Sequence, residues 1–306
     1  MAVPLASIGD DELKRLEEIA YQIRRLTVEQ VAWAQWGHIA GSLSMAEILA
    51  LLYWRELVVD PGRPDWPERD RFVLSKAHCS PGLYAALALR GFFPTSELYK
   101  YCEIDGILEG HSDASRTPGL ETSGGLLGMG LSVAQGMAIG LRFRGNSRAR
   151  VYCLLGDGEL NEGNPWEAAM SAAHFRLDNL IAIVDHNKVM AKDLVTLQMG
   201  VEPLAQKFEA FGWSVVEVDG HDLRALARVL YDARWVVPVG RPVCVIAHTV
   251  KGRGIFEAEN SSRWHTHAPS PEHADQMLRT LASAYDQPDE GYSRANEPVK
   301  TEAFSA

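Results

Sequence analysis

The sequence is poor in cysteine, in positive charge and in long apolar runs, and each shortage excludes something. Its four cysteines, Cys79, Cys102, Cys153 and Cys244, include no C-x-x-C pair. Cys153 and Cys244 sit inside apolar runs that read as buried strands, so reduced structural thiols in a cytoplasmic protein are expected. Thirty Lys and Arg face forty Asp and Glu, a formal charge of -10, and no basic run offsets that sign. Phosphate neutralisation needs clustered cations, so no nucleic-acid partner is expected. No apolar stretch reaches the length that spans a bilayer, and the early acids Asp10, Asp11 and Glu12 leave no signal-type apolar core. No membrane partner is expected. Internal repeats and low-complexity tracts are also missing.

What remains is ordinary for a globular protein: 306 residues, 46% hydrophobic and 23% charged. That length allows one large α/β domain or two modest ones. Leu13, Leu16, Ala20, Ile23 and Leu26 recur at helical spacing between Asp11 and Ala34. Ser44-Met45-Ala46-Glu47 reads as a capping box ahead of a helix over Ile48 to Leu57. Arg71 to Leu74 is a short strand candidate, with a helix over Gly82 to Leu89. The glycine-rich turn Gly124 to Gly130 feeds a small-residue helix, Ser132 to Phe143. Val151 to Leu155 reads as a buried strand ending in Gly156-Asp157-Gly158. Asn164, Pro165 and Glu167 supply an N-cap, an N1 proline and an N3 acid for a helix to about Phe175. Leu180 to Val184 is the next strand, ending at Asp185-His186-Asn187, which makes a right-handed βαβ unit. Trp213 to Val218, Leu223 to Arg234 and Val243 to Ala247 continue as strand, helix and strand. This alternation predicts an α/β fold: a doubly wound parallel sheet flanked by helices, one domain over 1–284, then a polar tail over 285–306.

In such a sheet ligands sit beyond the carboxyl ends of the strands, where Asp157 and Asn187 fall in neighbouring turns. Gly156 and Gly158 let the backbone approach a phosphate, and its amides can donate to the anion. A carboxylate, an amide oxygen and a backbone carbonyl form the hard oxygen set that Mg2+ prefers, with Ca2+ also suited. A lone Gly-Asp-Gly is most often a plain turn. GDGELNEG after one strand and VDHNK at the end of the next is far more specific, and together they resemble the signature of thiamine diphosphate enzymes. The resemblance implies that Asp157, Asn187 and the carbonyl of Val189 bind the metal. It also implies that Gly156, Asp157, Gly158, Glu159 and Asn187 face the cofactor, and that the fold is the thiamine diphosphate-binding fold.

The resemblance extends over about Asp11 to Pro271, and there it is to transketolase. Gly37-His38 with Gly41-Ser42-Leu43-Ser44, DRFVLSKAH ending at His78, and Glu109-Gly110-His111-Ser112-Asp113 resemble three histidine motifs of that family. Gly125 to Gly130, carrying Leu126 and Leu127, resembles the loop that packs on the cofactor. VDGHD at Val218 to Asp222, and Lys251-Gly252-Arg253-Gly254 followed by Trp264-His265, are further shared stretches. The resemblance implies ketol transfer from a ketose to an aldose acceptor, on sugar or sugar-phosphate substrates. Cleavage removes a proton from a sugar hydroxyl and product formation returns one, work that suits imidazole near neutral pH. By resemblance His38 and His265 flank the sugar hydroxyls, His111 approaches the donor's first hydroxyl, and His78 and His265 approach the diphosphate. Any of these histidines taken singly would read as structural. His174, His186, His221, His248, His267 and His273 keep that reading. Glu162 matches a family glutamate that couples two cofactor sites across a subunit interface, and reads equally as an acid near a helix N-terminus.

Single-chain transketolases run about twice this length, and the half that carries the cofactor-activating glutamate finds no counterpart here. The chain is therefore expected to be the N-terminal subunit of a split transketolase, joined by a separate C-terminal subunit in an α2β2 heterotetramer. Ile39, Ala40, Ala77, Ser112, Met129 and Thr266 depart from the family pattern beside the histidines, which bears on substrate choice more than on cofactor. Two alternatives stay open: the α subunit of a thiamine-dependent 2-oxo acid dehydrogenase, and a non-catalytic subunit serving assembly. A Rossmann oxidoreductase would need G-x-G-x-x-G, which GDGELNEG does not supply.

Overall fold

The computed structural model describes residues 7–237 and 239–286. In chain order the elements are α1 (Asp10–Ala34), α2 (Ala40–Leu43), α3 (Ala46–Leu51), β1 (Arg71–Leu74), α4 (Ser80–Arg90) and α5 (Gly130–Phe143). There follow β2 (Val151–Gly156), α6 (Asn164–His174), β3 (Leu180–His186), α7 (Val195–Gln198), α8 (Leu204–Ala210) and β4 (Ser214–Asp219). The series closes with α9 (Leu223–Trp235), β5 (Val243–His248) and α10 (Pro271–Asp286).

The five strands form one sheet in the order β1-β2-β3-β5-β4, and every pairing is parallel. Alternate residues of each strand feed opposite cores, as the two-residue period of a strand requires. Tyr152, Leu154, Ile181, Ile183, Val243 and Val245 pack with α1, α3, α4 and α9. Val151, Cys153, Leu155, Ala182, Val184 and Cys244 pack with α5, α6 and α8 on the other face. Both faces are covered, so the central strands are apolar throughout, which is why they read as continuous runs. A third cluster, with Val28 and Val31 of α1 against Ala274 and Met277 of α10, ties the last helix to the first.

Several local expectations change. Ser44 does not cap a helix: its Oγ donates to Asp185 Oδ2 at 2.6 Å and to the Gly41 carbonyl at 3.0 Å, and Met45 takes the cap position. The buried carboxylate of Asp185 outcompetes a helix end for that hydroxyl. The N-cap of α6 is Gly163, not Asn164, whose Oδ1 instead accepts from Ser132 Oγ at 2.6 Å. Asp222, by contrast, caps α9 through the amides of Arg224 and Ala225. The amphipathic helix α10 is an addition to the expected elements, and it runs to Asp286, past the expected start of the polar tail at Tyr285. The rest of that tail, 287–306, lies outside the described residues.

Candidate functional site

The carboxyl ends of four strands converge. Ser75 and Lys76 follow β1, Asp157 follows β2, Asn187 follows β3, and Thr249 to Lys251 follow β5. Asp157 is 2% exposed, and its oxygens accept only backbone amides, those of Gly158 at 2.7 Å and Lys188 at 2.5 Å. Burial, and then the charge of Asp185, push its carboxyl up to about 7. Asn187 turns its Nδ2 onto Asp185 Oδ2 at 3.1 Å, while its Oδ1 accepts from Val189 N–H at 3.1 Å. A buried carboxylate that makes no direct ion pair among the described residues, an amide oxygen and a main-chain carbonyl thus lie in adjoining turns. That donor set fits a hard divalent cation, which would supply the missing charge.

Asp185 organises this floor. It is fully buried and accepts from Ser44, Thr249, Lys76 and Asn187. Burial pushes its carboxyl up, but the Lys76 ammonium and the hydroxyl donors outweigh this and hold it below the usual carboxylate range. Lys76 also donates to the Gly41 carbonyl at 2.9 Å. Lys251 donates to the carbonyls of Val189 and Met190 at 3.0 Å each and lies 3.1 Å from His265 Nδ1. Burial lowers its ammonium to about 8. Neither lysine carried a signal in the sequence beyond its place in a histidine or glycine motif, and nor did Asp185.

The glycine-flanked turn is held by local hydrogen bonds. The Gly156 amide donates to Glu159 at 3.0 Å and the Gly158 amide to Asp157 at 2.7 Å. A Cβ on Gly158 would stand 2.7 Å from Met190 Cγ, so glycine here lets the two strand-end turns touch. Glu159, expected to face the cofactor, is 2% exposed and accepts from Ser75 Oγ and the Gly128 amide as well. It ties the glycine-rich loop to β1 and β2. That loop presents Gly125, in the left-handed region at φ 146°, with Leu126 and Leu127 78% and 39% exposed. Glu162 is exposed beside Gly128.

The four motif histidines, spread over more than two hundred residues of sequence, meet in one cluster. The His38 ring lies 5.0 Å from His78, 5.2 Å from His265 and 6.1 Å from His111, and His78 lies 5.2 Å from His265. Burial lowers His38 to about 4 and His265 to about 3, with neighbouring imidazoles and Lys251 adding to it, and lowers His78 well below its ordinary value. All three are neutral imidazoles at physiological pH. His38 Nδ1 is buried with no hydrogen-bond partner among the described residues. Beside the cluster lies an open cleft of about 470 Å³ lined by Glu109, Gly110, His111, Ser112, Asp113, Ser123 and Gly124. The remaining histidines pair elsewhere: His186 with His248 and Glu202, His221 with Glu47, His273 with Glu257.

Fold and site together define a thiamine diphosphate-binding α/β domain. Residues 16–292 match the family described as Transketolase, thiamine diphosphate binding domain, and the chain belongs to the transketolase family. It is 41% identical over 250 residues to a 6-deoxy-6-sulfo-D-fructose transketolase subunit of Clostridium sp., covering 82% of this chain and 90% of that one. It is 41% identical over 267 residues to an apulose-4-phosphate transketolase subunit of Actinobacillus succinogenes, covering 87% and 95%. The transketolase structure from Campylobacter jejuni superposes with a TM-score of 0.83 at 28% identity, over 96% of this chain but 45% of that one. The chain thus spans nearly the whole of the subunit relatives and less than half of the single-chain enzyme. Among the described residues no helix is long and apolar enough to cross a membrane.

Proposed function

We propose that this chain is the diphosphate-side subunit of a two-chain, cytoplasmic transketolase that moves a two-carbon ketol unit from a ketose to an aldose. The observation that carries the reading is the cluster of neutral imidazoles beside the Asp157–Asn187–Val189 floor. Asp157, Asn187 and the Val189 carbonyl would hold Mg2+ or Ca2+ and, through it, the diphosphate; bound thiamine diphosphate supplies the electron sink for carbon–carbon cleavage. His38, a neutral imidazole at the centre of the cluster, can accept the proton of the sugar hydroxyl whose C–C bond breaks and return it to the incoming aldehyde oxygen. His265, held by the Lys251 ammonium, and His111, at the cleft wall, can hydrogen-bond the other hydroxyls; His78 would approach the diphosphate.

A separate partner chain would complete the cofactor site, and the subunit names of the relatives with matching length support that arrangement. A subunit interface, as an α2β2 assembly would need, is supported by the outer face around α5, where Leu126, Leu127, Met129 and Phe143 are exposed and Gly136 and Gly140 have open space above them. Glu162, next to that face, is then an interface residue. The test is co-purification with a chain resembling the C-terminal half, followed by a ketol-transfer assay with thiamine diphosphate and Mg2+. Transfer by the pair and none by this chain alone is expected. Turnover by the single chain, or decarboxylation of a 2-oxo acid with an artificial electron acceptor in place of transfer, would overturn the reading.

A further inference from the structure

Trp36 borders the histidine cluster and takes no part in the proton or cofactor chemistry above. Its backbone is held from both sides. Gln35 is left-handed at φ 52°, and its Nε2 donates to the Ala32 and Pro269 carbonyls at 2.5 and 2.9 Å. Gly37 sits at φ 140°, where a Cβ would stand 3.0 Å from Val31 Cγ2 and 3.2 Å from Tyr101 Cε1. The indole itself rests on bare backbone: a Cβ on Gly110 would lie 2.4 Å from its Cζ3 and 2.6 Å from its Cη2. Gly110 immediately precedes His111, so one glycine seats the indole against the segment that presents a site histidine. The ring stands edge-to-face to His38 at 5.7 Å and tilted to Tyr101 at 6.2 Å. Despite this fixed seat it is 45% exposed.

Position decides what the open part of the ring can meet. Asp157 and the strand ends form the floor, so the two-carbon unit must sit low, near the diphosphate. The rest of the sugar would extend outward past His38, towards Trp36 and the cleft lined by Glu109 and Asp113. The acids Glu109 and Asp113 line that cleft, and Arg116 is already paired with Glu109. An anionic group is therefore disfavoured there, and a neutral polyol segment fits. Such a segment has hydroxyl edges and a C–H face, and the partly positive C–H hydrogens are attracted to the negative face of an aromatic ring. We propose that Trp36 is a specificity-determining residue that stacks on the C–H face of the aldose portion of the substrate. The leaving aldose and the accepting one occupy the same space in turn, so the ring reads both. The proposal rests on the ketol-transfer reading.

The test uses the assembled complex with thiamine diphosphate, Mg2+ and 3-hydroxypyruvate as donor, whose loss of carbon dioxide makes transfer irreversible. Glycolaldehyde, too short to lie across the indole, is compared with D-erythrose. Trp36→Leu keeps apolar bulk but removes the ring face; it is expected to lower kcat/KM for D-erythrose by roughly fivefold to tenfold and for glycolaldehyde by less than about twofold. Trp36→Phe is expected to keep the wild-type ratio of the two acceptors to within about threefold. An unchanged ratio in Trp36→Leu, or equal losses on both acceptors, overturns the proposal. Should the wild-type complex transfer nothing, the ketol-transfer reading fails, and the contact is read directly by saturation-transfer NMR with D-erythrose. A signal in wild type that Trp36→Leu loses upholds the stacking; no signal in wild type, or one that Trp36→Leu keeps, overturns it.

Discussion

Asp185→Asn is an isosteric change that removes one charge from the floor of the site, and its cost follows from the contacts. Asp185 is 0% exposed and Lys76 is 2% exposed. With asparagine at 185 the Lys76 ammonium keeps the Gly41 carbonyl but loses its counter-ion in a water-free setting. Breaking a buried pair by removing one partner costs about 3–5 kcal/mol, mostly from the charge left behind. Hydrogen bonds from Ser44, Thr249 and Asn187 fall from charged to neutral strength, which adds to that cost. Urea unfolding of the purified chain near neutral pH, followed by tryptophan fluorescence, reads the loss. The decisive control is Asp185→Asn with Lys76→Met, which removes both charges. If the lone ammonium is the cause, the double variant recovers at least about half of the loss, since a buried pair replaced by neutral groups is often close to neutral in stability. A single-variant cost below about 1 kcal/mol, or a double variant no more stable than the single, would refute the assignment of Lys76 and Asp185 as a mutually dependent pair.

Three further outcomes are expected. Asp157→Ala abolishes thiamine diphosphate binding in the assembled enzyme, and calorimetry showing unchanged cofactor affinity would remove Asp157 from the metal set. Glu56 is 3% exposed with neither carboxylate oxygen hydrogen-bonded among the described residues, and burial pushes it up to about 7 from an ordinary 4.5, Arg55 opposing this from 3.4 Å. The unfolded chain then releases this proton first, so stability falls as pH rises from the ordinary value to about 7 and is level beyond. Glu56→Gln should therefore match wild type near pH 4 and exceed it near pH 8 by up to roughly 3 kcal/mol, and equal melting curves at both pH values would contradict this. Glu159→Gln removes the charged acceptor for Ser75, Gly128 and Gly156. Hydrogen exchange of the Gly125–Gly130 loop should quicken, with protection in β2 retained; a loop unchanged in exchange would deny Glu159 its tying role.

The split between what was legible and what was not follows the reach of the interactions. Periodicity and strand-end glycines are local, so the sequence by itself determined the parallel α/β sheet with Asp157 and Asn187 at neighbouring strand ends, while the four motif histidines stood out only through the family resemblance. Shifts of one residue, as at the Gly163 cap, reflect the weak local preference of helix ends. The tertiary structure alone decided that Ser44 serves Asp185 rather than a helix, because a buried carboxylate takes the strongest donors available from anywhere in the chain. It alone placed Lys76 and Lys251 under the site, turned Glu159 inward, docked α10 on α1, and seated Trp36 on Gly110. Each of these joins residues far apart in sequence, and burial, which sets their charges, exists only once the sheet has brought its strand ends together.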